Sequence, residues 1–124
     1  MPGKLSVHTE TVQVGKETVA VLHIEGSIDG SSSDELDGAF DAAADGGGSQ
    51  FILDFSEVDY ISSAGLRLLL RFRRIALDRG GRLRIASVHR EIRENVLDAL
   101  GFSRLIDVYA DVQEATDALH GKDG

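Results

Sequence analysis

Two adjacent serines, Ser62 and Ser63, stand between an apolar run, Phe51 to Phe55, and an amphipathic segment that opens Ala64-Gly65-Leu66. A serine at a helix start has its hydroxyl beside backbone N–H groups that lack intrahelical partners. It can cap the helix, or it can carry a phosphate that those N–H groups and the helix dipole favour. A nucleophilic serine is the other chemistry to weigh. Ile61-Ser62-Ser63-Ala64-Gly65 lacks the Gly-x-Ser-x-Gly elbow of common hydrolases. His8, His23, His89 and His120 fall at no spacing that makes a triad or a metal site. His8 and His23 lie in strand-like runs, and His89 belongs to a helix start. Glu57 and Asp59 form a carboxylate pair in what reads as a solvated acidic connection, and nothing beside them completes an acid–base or Mg²⁺ site. Gly46-Gly47-Gly48 lacks the Lys-Ser/Thr that follows a phosphate loop and precedes a strand. The sequence therefore points away from catalysis, and no cofactor or metal is expected.

The two serines can divide the work. Ser62 is placed to cap, which is worth about 1 kcal/mol, while Ser63 opens the first turn and offers its hydroxyl to solvent. Ala64 and Gly65 are small enough for another protein to approach closely, and Leu66, Leu69 and Leu70 anchor the helix from below. Arg67, Arg71, Arg74 and Asp78 fall at i, i+4, i+7 and i+11 on one exposed face. That row is either solvated, with an Arg74–Asp78 pair worth about 0.3–0.5 kcal/mol, or a docking stripe whose planar guanidinium forks grip carboxylates.

These residues need a scaffold, and the periodicity supplies one. Residues 4–14 alternate polar and apolar, as a half-exposed strand does, and Gly15-Lys16-Glu17 turns the chain into a more buried strand over 18–25 that Gly26 ends. Ser32 and Glu35 have capping-box spacing ahead of a helix with Leu36, Phe40 and Ala43 inward and Asp37, Asp41 and Asp45 outward. After the glycine triplet come the strand 51–55, the serine helix over about 63–78, and a strand over 82–86. A third helix is predicted over 87–100 with Ile92, Val96 and Ala99 on one face, then a short strand near 105–108. Asp111 and Glu114 box a last helix with Ala115, Ala118 and Leu119 inward. The order strand, strand, helix, strand, helix, strand, helix, strand, helix predicts an α/β fold. Its sheet is mixed but mostly parallel, with an N-terminal antiparallel hairpin and about four helices.

Composition narrows the role. At 124 residues the chain fits one domain with a core of its own, and its lack of cysteine excludes disulfides and thiolate sites. No apolar run reaches the roughly 18 residues that span a bilayer, and Met1-Pro2-Gly3-Lys4 is followed by no apolar leader. The expected location is the cytoplasm, without membrane insertion. The net charge of -8 opposes direct nucleic-acid binding, but residues 67–93 hold nine arginines against two acids.

The stretch Asp54-Phe55-Ser56-Glu57-Val58-Asp59-Tyr60-Ile61-Ser62-Ser63-Ala64-Gly65-Leu66 resembles the signature of STAS domains, in particular of bacterial anti-sigma-factor antagonists (anti-anti-sigma factors). Glu25-Gly26-Ser27-Ile28-Asp29 resembles the family's turn before its first helix. Gly80-Gly81-Arg82-Leu83-Arg84-Ile85 resembles its Gly-Gly entry into a strand, and Leu100-Gly101-Phe102 its pattern after the third helix. The resemblance implies a single STAS domain over 1–124, with a core of about 4–120. It implies an anti-sigma factor with GHKL-type serine kinase activity as partner, and a serine phosphatase to reset the switch. Ser63 matches the phosphorylated serine, with Ser62 the second choice, and Asp29 matches the acidic residue near it. The implied partner-binding set is Asp29, Ser62, Ser63, Ala64, Gly65, Arg67 and Arg71. The chain departs from the best-known members in having Ser62 for Asp and Ala64 for Ser or Thr. The unmodified domain would bind the anti-sigma factor and free a sigma factor. The alternative is a scaffold subunit of a stress-sensing or lipid-transport complex that is never phosphorylated.

Overall fold

The computed structural model describes residues 5–121. A five-stranded sheet runs in the order β1-β2-β3-β4-β5, with β1 Ser6–Val14, β2 Glu17–Ile28, β3 Gln50–Ile61, β4 Arg82–Ala86 and β5 Asp107–Tyr109. Only β1 and β2 pair antiparallel; the remaining neighbours are parallel. Helices α1 Ser33–Asp45 and α2 Ser63–Asp78 cover one face. There Phe40 stacks on Phe72 at 4.1 Å and meets Phe51 at 4.6 Å, above a floor that includes Leu22, Leu53 and Phe55. Helix α4, Val112–Gly121, covers part of the other face, where Ala115 packs with Val19, Val21 and Ile52. The expected alternation, antiparallel edge and helix count are all present.

Several local expectations give way. Gly26 does not end β2; with φ 116 it sits in a bulged stretch, and β2 continues to Ile28. Residues 56–61 are likewise strand, not connection. They pair with β2 alone, because the pairing with β4 stops at Asp54–Ala86. In this two-stranded extension Val58 and Ile61 still face the core, while Ser56, Glu57, Asp59 and Tyr60 are exposed, which accounts for the polar residues around Val58.

The third helix is short. α3 spans Arg90–Ile92 and opens into a π-helical turn, Arg93–Asp98. Widening the turn moves the inward position from i+4 to i+5, so Leu97 is buried with Ile92, Val96 is half-buried, and Ala99 is exposed. Gly101, at φ 80, then leads into the 3₁₀ turn Phe102–Arg104. Leu105 is therefore exposed, and the final strand begins two residues later than expected.

At α1 the capping box does not form. The buried Ser32 Oγ donates to Ser27 O (2.7 Å) and accepts from Asp29 N–H (3.0 Å), so it braces the preceding turn instead of the helix. At α4 the expected box is present in substance. Asp111 accepts from Glu114 N–H, and Glu114 reaches back to Ala110 N–H, both at 2.8 Å. Within α2, Leu66 and Leu69 are buried as expected, but Leu70 is 38% exposed; Phe72 and Ala76 complete the buried stripe.

Candidate functional site

The serine turn is set by two neighbours in the sheet. Ile28 ends β2 opposite Ile61, and Ser62 N–H donates to Ile28 O at 2.9 Å. This fixes the point where β3 turns into α2. Ser62 then takes the N-cap in extended conformation (φ -95, ψ 178), and its Oγ accepts from Gly65 N–H at 3.3 Å. Ser63 is the first helical residue and is exposed, and its hydroxyl has no hydrogen-bond partner among the described residues. The predicted division between the two serines is thus present as geometry. The Ser62→Ala substitution is expected to cost about 1 kcal/mol, against less than about 0.5 kcal/mol for Ser63→Ala, because only the former removes a cap. Urea denaturation of the two variants side by side measures the difference.

Gly65 has a different role from the one its size implied. It is buried, and a Cβ there would lie 2.8 Å from Ile28 O, Ile28 Cγ2 and Ile61 Cγ1. The glycine lets the first turn of α2 lie against the end of β2, and it presents no surface to another protein. Ala64, half-exposed, is the small residue that faces outward.

Asp29 follows directly on Ile28 and so lies beside the serine turn. Its Oδ1 accepts from Ser31 Oγ (2.7 Å), Ser31 N–H (2.9 Å) and Ser32 N–H (3.2 Å). The Ser31 hydroxyl, followed by these N–H groups, holds its carboxyl below the usual carboxylate range. A fixed negative charge therefore stands next to the turn. Glu57 and Asp59 do not join it: they lie on β3, four and two residues before Ile61, or about 13 and 7 Å along a strand. Asp59 accepts from Ser27 Oγ at 2.9 Å, across the two-stranded extension.

The arginine row is divided as well. Arg71 is ion-paired to Asp37 and lies 3.8 Å from Asp41, which joins α2 to α1. Arg74 and Asp78 form the expected pair at 3.6 Å, on open surface where such pairs contribute little. Arg67 is exposed and has no ion-pair partner among the described residues. Of the cationic residues predicted for docking, Arg67 is the free one.

A histidine bridge on the other face of the sheet escaped the sequence. His23 Nδ1 is 2.6 Å from Asp54 Oδ2, and its Nε2 is 2.7 Å from Glu10 Oε1. Ionised carboxylates only accept, so the two contacts together favour the imidazolium, in which both ring nitrogens donate. Burial opposes that charge, but the hydrogen bonds and negative charges of Glu10 and Asp54 outweigh it and raise the pKa above 6.5. His8 stacks on the same ring at a centroid distance of 6.1 Å. The bridge ties β1, β2 and β3 together. Because the folded pKa exceeds the unfolded one, its stabilisation is complete below about pH 6.5 and is lost as pH rises through the folded value. NMR titration is expected to give His23 a pKa above 6.5, and His23→Gln to flatten the decline in stability as pH rises from about 6.5.

A family model for the STAS domain matches residues 11–115. BtrV of Bordetella bronchiseptica, provisionally named an anti-sigma factor antagonist, is 30% identical over 95 residues, covering 77% of this chain and 80% of BtrV. Among solved structures, an anti-sigma factor antagonist from Mycobacterium paratuberculosis superposes with a TM-score of 0.83 at 18% identity, covering 97% of both chains. The Bacillus cell fate determinant SpoIIAA has been solved unphosphorylated and phosphorylated, with TM-scores of 0.72 and 0.68. Each form is 20% identical and covers 92% of this chain, with 97% and 99% of the SpoIIAA chain covered. Together with the serine turn and the sheet order, these matches place the chain in the STAS domain family, among the anti-sigma-factor antagonists.

Proposed function

We propose that this domain is a phosphorylation-gated binding switch. Unmodified, it docks the Ser62–Ser63 turn, with Asp29, Ala64 and Arg67, on an anti-sigma factor that is also a GHKL-type serine kinase, and so releases a sigma factor. Phosphorylation of Ser63 ends the interaction, and a serine phosphatase restores it. The domain acts by binding rather than by catalysis, and the cytoplasm is its place of action.

One observation carries the reading: the Ser62 oxygen is occupied by Gly65 N–H, whereas the Ser63 hydroxyl next to it is exposed and uncommitted at the tip of a 16-residue helix. This favours Ser63 over Ser62 as the phosphate acceptor, because modifying Ser62 would sacrifice the cap. The existence of SpoIIAA in a phosphorylated form agrees with such a role for the fold.

The test is affinity purification of the unmodified protein from its host, followed by mass spectrometry. A GHKL-type ATPase in the eluate, with phosphate on Ser63, is the expected result. Recovery of only transporter or sensor subunits, with both serines bare, would overturn the switch in favour of a scaffold.

A further inference from the structure

The arginine-rich middle of the chain is only partly absorbed by the serine turn. Arg73, Arg82 and Arg104 converge on a groove of about 230 Å³ between the C-terminal half of α2 and the Phe102–Arg104 turn. The groove is rimmed by Leu77 and Leu105, which are 45% and 46% exposed. Leu70, Arg73 and Leu77 fall at i, i+3 and i+7, so Leu70 extends the same row along α2. Tyr60, Leu70, Leu77, Leu100 and Leu105 are the large apolar residues exposed among the described residues. Two of these five line one groove and Leu70 lies two turns before Leu77 on the same face of α2; clustering of that kind, unlike a lone surface leucine, marks an interaction site.

The groove is also preformed. Arg73 Nε donates to Leu105 O at 3.0 Å, which ties the turn to α2 and holds the guanidinium in the groove lining. Its charge is unbalanced. Arg82 lies 3.8 Å from Asp107, while Arg73 and Arg104 have no acidic partner among the described residues.

We propose that this groove is a second docking surface, which takes an acidic amphipathic helix of a protein partner. Leucines on the incoming helix would cover Leu70, Leu77 and Leu105, and its flanking carboxylates would meet the three arginines. Arginine beside exposed apolar side chains is the composition that such interfaces favour. A symmetric contact with a second copy would set arginine against arginine. Nucleic acid and anionic lipid are opposed by the net charge of -8 and leave the leucines without apolar partners. Leu77 is 14 residues along the helix from Ser63, or about 21 Å, more than twice the roughly 8 Å screening length at physiological salt. A partner held here would keep its grip when Ser63 carries a phosphate.

The test titrates the full chain with a synthetic peptide of about 16 residues, leucines at i, i+4, i+7 and i+11 and mostly Glu elsewhere. NMR chemical shifts are read at near-physiological salt. The expected result is saturable shifts confined to the amides of Leu70, Arg73, Leu77, Arg104 and Leu105. Binding is expected to weaken at least about tenfold for Leu77→Ser and for Arg104→Glu, both exposed sites, and to be unchanged for Ser63→Asp. Equal binding of a scrambled peptide of the same composition would overturn the proposal. So would shifts centred on Ser62 to Gly65, full affinity in both groove variants, or tighter binding of duplex DNA or anionic vesicles at the same amides.

Discussion

Gly81→Ala is expected to destabilise the protein by about 3 kcal/mol or more, far beyond the effect of an ordinary surface substitution. A Cβ at Gly81 would stand 1.8 Å from Ser49 O and 2.4 Å from Ser49 C, both backbone atoms. Neither side can yield cheaply. Gly81 N–H donates to Ala76 O at 2.9 Å, at the end of α2, and Arg82 N–H donates to Ser49 O at 3.1 Å, at the head of the β3–β4 ladder. Moving either strand to admit a methyl group would break the junction that aligns Gln50 with Arg82. The neighbouring Gly80 is the internal control. It adopts φ 86, but a Cβ there has nothing within 4 Å, so Gly80→Ala carries only the left-handed backbone cost of about 1–2 kcal/mol. Urea midpoints of the two variants separate the causes. Equal losses would mean that backbone conformation, and not the approach to Ser49, governs this corner.

The contrast between these glycines shows what the sequence could and could not reveal. Gly-Gly ahead of residues 82–86 was readable as the entry into a strand, but the contact of one glycine with Ser49, 32 positions earlier, was not. Local signals performed well. The Ser62 cap, the inward placing of Leu66 and Leu69 (though not of Leu70) and the Asp111–Glu114 box each act within one turn of chain, and each is present in the structure. Errors arose where a distant partner decides. Residues 56–61 look like a loop until β2 is laid beside them, and Gly26 looks like a stop until it is seen to bulge within a continuing strand. Ser32 is the local exception: it has the spacing of a cap yet is drawn back to Ser27 O, five positions earlier. His23 faces Asp54 across 31 positions because the β2–β3 register pairs them, and no spacing rule applied to a single sequence reports that register. The π-helical turn escaped for another reason: a 3.6-residue period was assumed, and the turn from Arg93 to Asp98 does not follow it.

At the site itself the legible part was the pair of serines, and the illegible part was the division of their neighbours. Small residues at 64 and 65 read alike, but one faces solvent and the other fills the gap beside Ile28. Arg67 and Arg71 read alike as well. Arg71 is engaged by α1, because the outward row of α1 aspartates includes two, Asp37 and Asp41, that face α2. Helix-to-helix placement, absent from any periodicity, separated them.

Replacing Ser63 by Asp is expected to lower affinity for the anti-sigma partner at least about 100-fold, or about 2.7 kcal/mol, while leaving the melting temperature unchanged. The fold should tolerate the charge. Ser63 is exposed in the first turn of α2, that turn contains no acidic residue, and the helix dipole favours an anion there. The partner should not tolerate it. Asp29 already sets one fixed negative charge beside the turn, with its carboxylate oriented by Ser31 and Ser32. A second charge in a closed interface must lose its water; with Arg71 committed to α1, the cation within reach is Arg67 at i+4, and pairing with it would draw Arg67 away from the partner. Ser63→Ala supplies the comparison. It removes the hydroxyl without adding charge, so it should bind the partner as the parent does and resist release by kinase and ATP. Calorimetric titration of the three proteins with the purified anti-sigma factor reads all of this directly. Undiminished affinity of Ser63→Asp would end the electrostatic account. A fall in affinity together with a lower melting temperature would instead assign the effect to a damaged helix start, and Ser62→Asp, in which aspartate can still accept from Gly65 N–H, would then show how much of the loss is local unfolding.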